Sequence, residues 1–270
     1  MTCERRVLLA ALVALLSLGA CSEHRDGVAV EVGVMHHPGD GHEQVHYPAG
    51  AERGFVTDQG YGVVLQQAYL VVSRVELLPC DPSAAQRVLG AVGKLLRPVS
   101  VARAHGLSSP TVLATPHVVD LMDEDRNILS MARMEPPPGQ YCGVRLSVEA
   151  ADADAVGLPA PPDDPEAIDI DMIGRSLALA GRFVVPGEQR SRDFLIESDA
   201  SDEVELAFVS TGGQPTRLTL SASRLNAELR LEVAYYHMLD GVPLIASEPE
   251  LQARTTLRNL LGGARAVIVD

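Results

Sequence analysis

The densest run of metal-ligating side chains is Met35-His36-His37, followed by His42 and His46. Imidazole nitrogens suit copper, zinc and nickel, and a thioether sulfur favours Cu(I). Gly39 and Gly41 would let the chain turn back so that several rings reach one ion. The pattern nominates Met35, His36, His37, His42 and His46 as ligands of a transition metal, copper first. Because a free imidazole titrates near 6.5, affinity would fall as pH drops. A flexible polar linker with incidental histidines is the plainer reading of the same residues. Weak sequestration by a disordered tract is a third.

Other constellations are weaker. His105, His117 and His237 are scattered; His237-Met238 beside Asp240 stands out because it follows a core-type strand and could face a loop-end site. Asp163, Asp164, Glu166, Asp169 and Asp171, with Asp152 and Asp154 upstream, offer hard oxygen ligands for Ca²⁺, but their spacing is not that of an EF-hand. A solvated acidic loop is the simpler reading. The chain has no GxSxG, no HExxH and no phosphate-cradling glycine loop, which lowers the prior for an enzyme.

The compartment is read from the amino terminus. Arg5 and Arg6 precede an apolar run over residues 7–18, about a dozen residues where a bilayer span needs roughly 20. Leu18-Gly19-Ala20-Cys21 closes it with small residues. This is the anatomy of a signal peptide over residues 1–20. The closing four residues resemble the lipobox of bacterial lipoproteins, which implies cleavage before Cys21 and acylation of its thiol. Two acyl chains, at about 0.8 kcal/mol per buried CH₂, anchor stably where one does not. Ser22 rather than Asp after the cysteine implies, by the same resemblance, the periplasmic face of the outer membrane.

Of the four cysteines, Cys3 leaves with the signal and Cys21 carries lipid. Cys80 and Cys142 remain, and in an oxidising compartment an isolated pair reads as a disulfide. A redox or metal thiol pair is the alternative. The net charge of −14 argues against a nucleic-acid partner.

The elements that would position these groups are mostly strands. Valine-rich alternation predicts a strand over 28–35 and a long one over 61–79. Further strands are expected at 117–122, 128–134, 140–150, 176–185, 193–197, 203–209, 217–222, 227–236 and 264–269. Residues 81–116 read as mostly irregular, with a helical turn at 83–92. A helix over 249–261 opens on Pro249 and stops at Gly262-Gly263, with Leu251, Leu257, Leu260 and Leu261 as its apolar stripe. Many short strands separated by turns predict a mainly β fold, an antiparallel, immunoglobulin-like β-sandwich with a short C-terminal helix. The expected organisation is a signal peptide over 1–20, a flexible histidine-containing segment over 21–60 and one sandwich domain over 61–270.

Three stretches carry a family resemblance: VSRVELLPC ending at Cys80, HVVDLM over 117–122, and PPPGQYCGVRLSV over 136–148. Their order resembles a group of bacterial lipoproteins of unknown function with a β-sandwich domain. Pro138-Gly139-Gln140-Tyr141 and YYHMLDGVPL over 235–244 are faintly similar to the copper-binding proteins of methanobactin operons, which pair with di-haem peroxidases. That similarity implies copper. The best-known members use an oxidised tryptophan at the metal, and this chain has no tryptophan, so no ligand residue carries over.

The expectation from sequence is therefore a non-catalytic binding module anchored to the bilayer through Cys21, with copper as its sharpest ligand. An envelope interaction or assembly lipoprotein without metal, and a hydrolase with an unrecognised site, are the competing classes.

Overall fold

The fold is that of a computed structural model, and the structure describes residues 28–81, 109–161, 168–246 and 248–269. The signal peptide, Cys21, the helical turn expected at 83–92, His105 and the acidic run 163–166 lie outside the described residues.

The described residues form thirteen strands and one helix: β1 (Ala29–His37), β2 (Arg53–Val56), β3 (Gly62–Pro79), β4 (Val112–Leu113), β5 (His117–Asp120), β6 (Ile128–Met134), β7 (Gly139–Val148), β8 (Leu177–Val184), β9 (Ser191–Ser198), β10 (Asp202–Ser210), β11 (Leu218–Leu220), β12 (Asn226–Ala234), α1 (Pro249–Gly262) and β13 (Arg265–Val269). The fold is mainly β with a C-terminal helix. In place of a two-sheet sandwich, however, one mixed sheet curls into a half-barrel in the order β6-β1-β12-β13-β10-β7-β3-β8-β9. Nor is it wholly antiparallel, since β1–β12 and β10–β13 are parallel pairs. Alternation in sequence reports which face of a strand is buried and says nothing of the strand beside it. Two packed sheets and one curled sheet give the same pattern.

The curl is centred on β3. Residues Gly62 to Leu70 pair with β8, and Val72 to Pro79 pair with β7. Register shifts interrupt these ladders at Leu65/Gln67, Val72/Arg74 and Leu78/Pro79. Each extra residue bends and twists the strand, which is how a long strand serves two neighbours in succession. At the first shift Gly181 of β8 lies against the Val64 carbonyl, where any Cβ would collide with it.

The concave face holds the core. Val30, Val32 and Val34 of β1 meet Leu229, Leu231 and Val233 of β12, and α1 adds Leu257, Leu260 and Leu261. The stripe expected on α1 holds except at Leu251, which is exposed; Ala253 and Thr256 are buried instead. On the opposite face a smaller cluster, including Val71, Val118, Met172 and Ala178, covers part of the sheet. Ser147 of β7, paired with Arg74 of β3, is also buried. Within the segment over 21–60, expected to be flexible with one strand at 28–35, the described residues supply both β1 and β2; β1 sits between β6 and β12. No helix among the described residues is long and apolar enough to cross a membrane.

Cys80 and Cys142 form a disulfide. It sits where the β3–β7 ladder ends, beside the Pro79–Tyr141 pair and the Cys80 N–H donation to the Gln140 carbonyl at 3.0 Å.

Candidate functional site

The chemistry collects at the end of the sheet where β1 and β12 finish. In β1, Val30, Val32 and Val34 face the core, and His36 follows them inward by the same two-residue period. In β12, Leu229, Leu231 and Val233 lead to Tyr235 in the same way. The two rings lie side by side, with centroids 6.2 Å apart.

Between them and the turn after β5 lies a buried ionic network. Arg53, the first residue of β2, and Asp125 both have fully buried side chains, with Arg53 Nη2 3.4 Å from Asp125 Oδ1. Arg53 Nε donates to the Leu121 carbonyl at 2.7 Å and Nη2 donates to the Asp123 carbonyl. The guanidinium lies 5.4 Å from the centre of the Tyr47 ring and 5.2 Å from that of Tyr235, within reach of cation–π attraction. Asp125 accepts from Tyr235 Oη at 3.0 Å and from the Tyr47 N–H at 2.9 Å. Its neighbour Arg126 has φ 64, unusual for a residue with a side chain. The Arg126 N–H donation to the His36 carbonyl and the Asp125 N–H donation to the Tyr47 carbonyl, both 3.0 Å, hold that turn.

His36 Nε2 lies 3.1 Å from the Asp123 carbonyl and 3.3 Å from Arg53 Nη2. As Nε2–H it donates to the carbonyl; as a lone pair it accepts from the guanidinium. Burial is the main cause of its lowered pKa. The Arg53 charge adds to that, while the Asp123 hydrogen bond and the Asp125 charge oppose it. Burial likewise lowers His37 and His117, and raises Tyr235, where the Asp125 charge adds to the effect.

These histidines predict acid sensitivity. A lowered folded pKa means that the unfolded chain, titrating near 6.5, binds more protons in the window just below that value. Stability is full above it and is lost as pH falls through it. The urea midpoint is therefore expected to drop between pH 7.5 and pH 5.5. The drop should be smaller in His36→Gln, whatever that variant's absolute stability. Asp120, raised by burial, acts in the opposite sense but in the carboxylate range.

Above the network is an exposed rim. His42 follows Gly39 and Gly41, whose φ values are 121 and 81, and its ring packs 4.4 Å from that of Tyr236. His237 is next in the chain, 6.5 Å from His42 between ring centroids. Its Nδ1–H donates to Asp240 Oδ2 at 2.7 Å, which leaves the Nε2 lone pair as the free nitrogen. Asp240 is itself fixed, because Oδ1 accepts the Asp58 N–H at 2.9 Å while Asp58 accepts the Gly241 N–H at 2.8 Å. Asn259 of α1 donates to the Met238 and Asp240 carbonyls at 3.2 and 2.7 Å, holding the loop from below.

The five residues nominated from sequence are thus placed in different surroundings. His36 belongs to the buried network. His37 is half-buried on the other face of β1. Met35 Sδ accepts from Arg230 at 3.7 Å, and exposed His46 lies 3.3 Å from Glu124. Only His42 meets another imidazole closely, and its neighbour is His237. Among the described residues no three His, Cys, Asp or Glu side chains are grouped to hold one ion. In the acidic segment, Asp152 and Asp171 accept backbone N–H groups two residues on, in local turns. Arg53, Asp125 and Tyr47 carry no local sequence signature, whereas Tyr235 falls in the alternation of the strand over 227–236.

The chain matches no protein-family model, no curated protein and no solved structure.

Proposed function

We propose that this chain is a lipid-anchored envelope protein, acylated on Cys21 at the periplasmic face of the outer membrane. Its β domain acts as a non-catalytic binding module for a late first-row transition metal, copper first. The observation that carries the reading is the pairing of His42 with His237, whose other ring nitrogen is held by Asp240. Metal-bound histidines commonly donate their second N–H to a carboxylate, which fixes the tautomer and raises basicity. Imidazole nitrogens about 2 Å from a shared ion place their ring centres roughly 5–6.5 Å apart, which accommodates the separation seen here. Protein-bound Zn²⁺ usually takes three or four protein ligands, whereas Cu(I) accepts two. The Cys80–Cys142 disulfide supports the oxidising compartment.

Titration of the mature protein with ascorbate-reduced copper against a chromophoric chelator tests the reading. About one Cu(I) is expected per chain. His42→Ala and His237→Ala should each weaken binding more than tenfold, Asp240→Asn about tenfold, and His46→Ala not at all. Absence of chelator-competitive binding by the wild type overturns the metal reading. Unchanged affinity in both imidazole variants overturns the ligand pair.

A further inference from the structure

Along the first half of β1 runs an open groove of about 840 Å³, lined by Gly33, Ile128, Ser223, Asn226, Ala227 and Val269, with Glu31, Arg224 and Glu228 among its polar residues; Ile128, which pairs with Met35, marks its end nearer the histidine rim. Its walls are the first half of β1, the start of β12 and the edge strand β6. Ile128 and the adjacent Leu225 are 42% and 46% exposed, although both are large and apolar. Glu31 lies 3.9 Å from Arg133, so acidic and basic groups share the margin.

The described residues begin at the end of the groove away from the histidine rim. The Ala29 N–H donates to the Leu225 carbonyl at 2.7 Å, and β1 starts there, antiparallel to β6 and parallel to β12. Val28 is seven positions after Cys21. A fully extended chain spans at most about 3.6 Å per residue, so an acyl group on Cys21 holds this end within about 25 Å of its bilayer. A groove with apolar walls, exposed leucine and isoleucine beside it and charges of both signs fits a lipid surface of no net charge.

We propose that this groove receives an acyl chain of the zwitterionic bilayer in which the Cys21 lipid is anchored. The inference rests on the lipid-anchor reading and is independent of the metal. It also fixes an orientation. β1 and β12 both run from the Ala29–Asn226 end of the groove towards His37 and Ala234. At about 3.3 Å per residue, His37 lies about 26 Å along β1 from Ala29 and about 13 Å from Gly33, so His42 and His237 sit beyond the far end of the groove, on the side open to the periplasm.

The test uses full-length acylated protein in phosphatidylcholine–phosphatidylethanolamine vesicles containing doxyl-labelled acyl chains. An NBD fluorophore is attached through Ser223→Cys beside the groove or Gln59→Cys on the rim. Several-fold stronger quenching at position 223 than at 59 is expected, with most of it lost when Ile128→Asp is added. Equal quenching at the two positions, or none at 223 on protein whose acylation is verified by mass spectrometry, overturns the groove assignment. It does so whether the chain then sediments as a monomer or as a self-associated dimer. Protein from the native envelope with an unmodified Cys21 thiol overturns the anchor itself, and the groove assignment with it.

Discussion

Arg53→Met is expected to lower the unfolding free energy by about 3–5 kcal/mol, as is usual when one partner of a buried ion pair is removed. The substituted side chain fills much of the space but leaves the Asp125 carboxylate facing a protein interior. Its remaining donors are Tyr235 Oη and the Tyr47 N–H. The Leu121 carbonyl loses its donor, the Asp123 carbonyl is left with His36 Nε2–H alone, and two tyrosine rings lose the cation between them. Arg53→Lys should cost nearly as much, because one ammonium cannot reproduce a planar fork that reaches two carbonyls and a carboxylate. Asp125→Asn should be comparably damaging, since it strands a guanidinium whose Nη1 already lacks a partner. Arg53→Met with Asp125→Leu should recover part of the loss, because no uncompensated charge is then buried. Urea unfolding at pH 7.5 measures all four. A loss below about 1 kcal/mol for Arg53→Met would put the pair in the class of surface ion pairs, contrary to its complete burial.

The second large effect is expected from Cys80→Ser with Cys142→Ser. The bond closes a segment with a sequence separation of 62. In the chain-entropy description, opening it restores freedom to the unfolded state worth about 4 kcal/mol. The native fold should survive, because the β3–β7 ladder continues from Leu78 to Val72 without the crosslink. The variant is therefore expected to give native-like circular dichroism but a much lower urea midpoint. The wild type should fall to the same midpoint in reductant. If reduction left the midpoint unchanged, the bond would carry no stabilisation. The effects of the ionic network and the disulfide should add, since they lie at separate places and share no partner.

Much of the strand pattern was readable because local periodicity reports burial. Residues 128–134 were expected as a strand, and β6 spans Ile128–Met134. Two-residue alternation over 227–236 places Leu229, Leu231, Val233 and Tyr235 on one face, with Arg230 and Glu232 opposite, and all four of that face are buried. β2 escaped notice because four residues with one glycine give no usable period. Its first residue is the arginine on which the buried network depends. The histidine tract was visible as composition, but composition could not show that strand alternation carries His36 inward and leaves His37 on the opposite face.

A mainly β chain with a C-terminal helix, and Cys80–Cys142 as a crosslink candidate, follow from the order of residues. Local spacing and side-chain chemistry are enough for that. The parallel pairing of β1 with β12, the curl of the sheet in place of a sandwich, and the meetings of Arg53 with Asp125 and of His42 with His237 emerge in three dimensions. Those contacts join positions far apart in the chain. A strand's pattern specifies which face it buries, and its neighbour is selected by the packing of the whole.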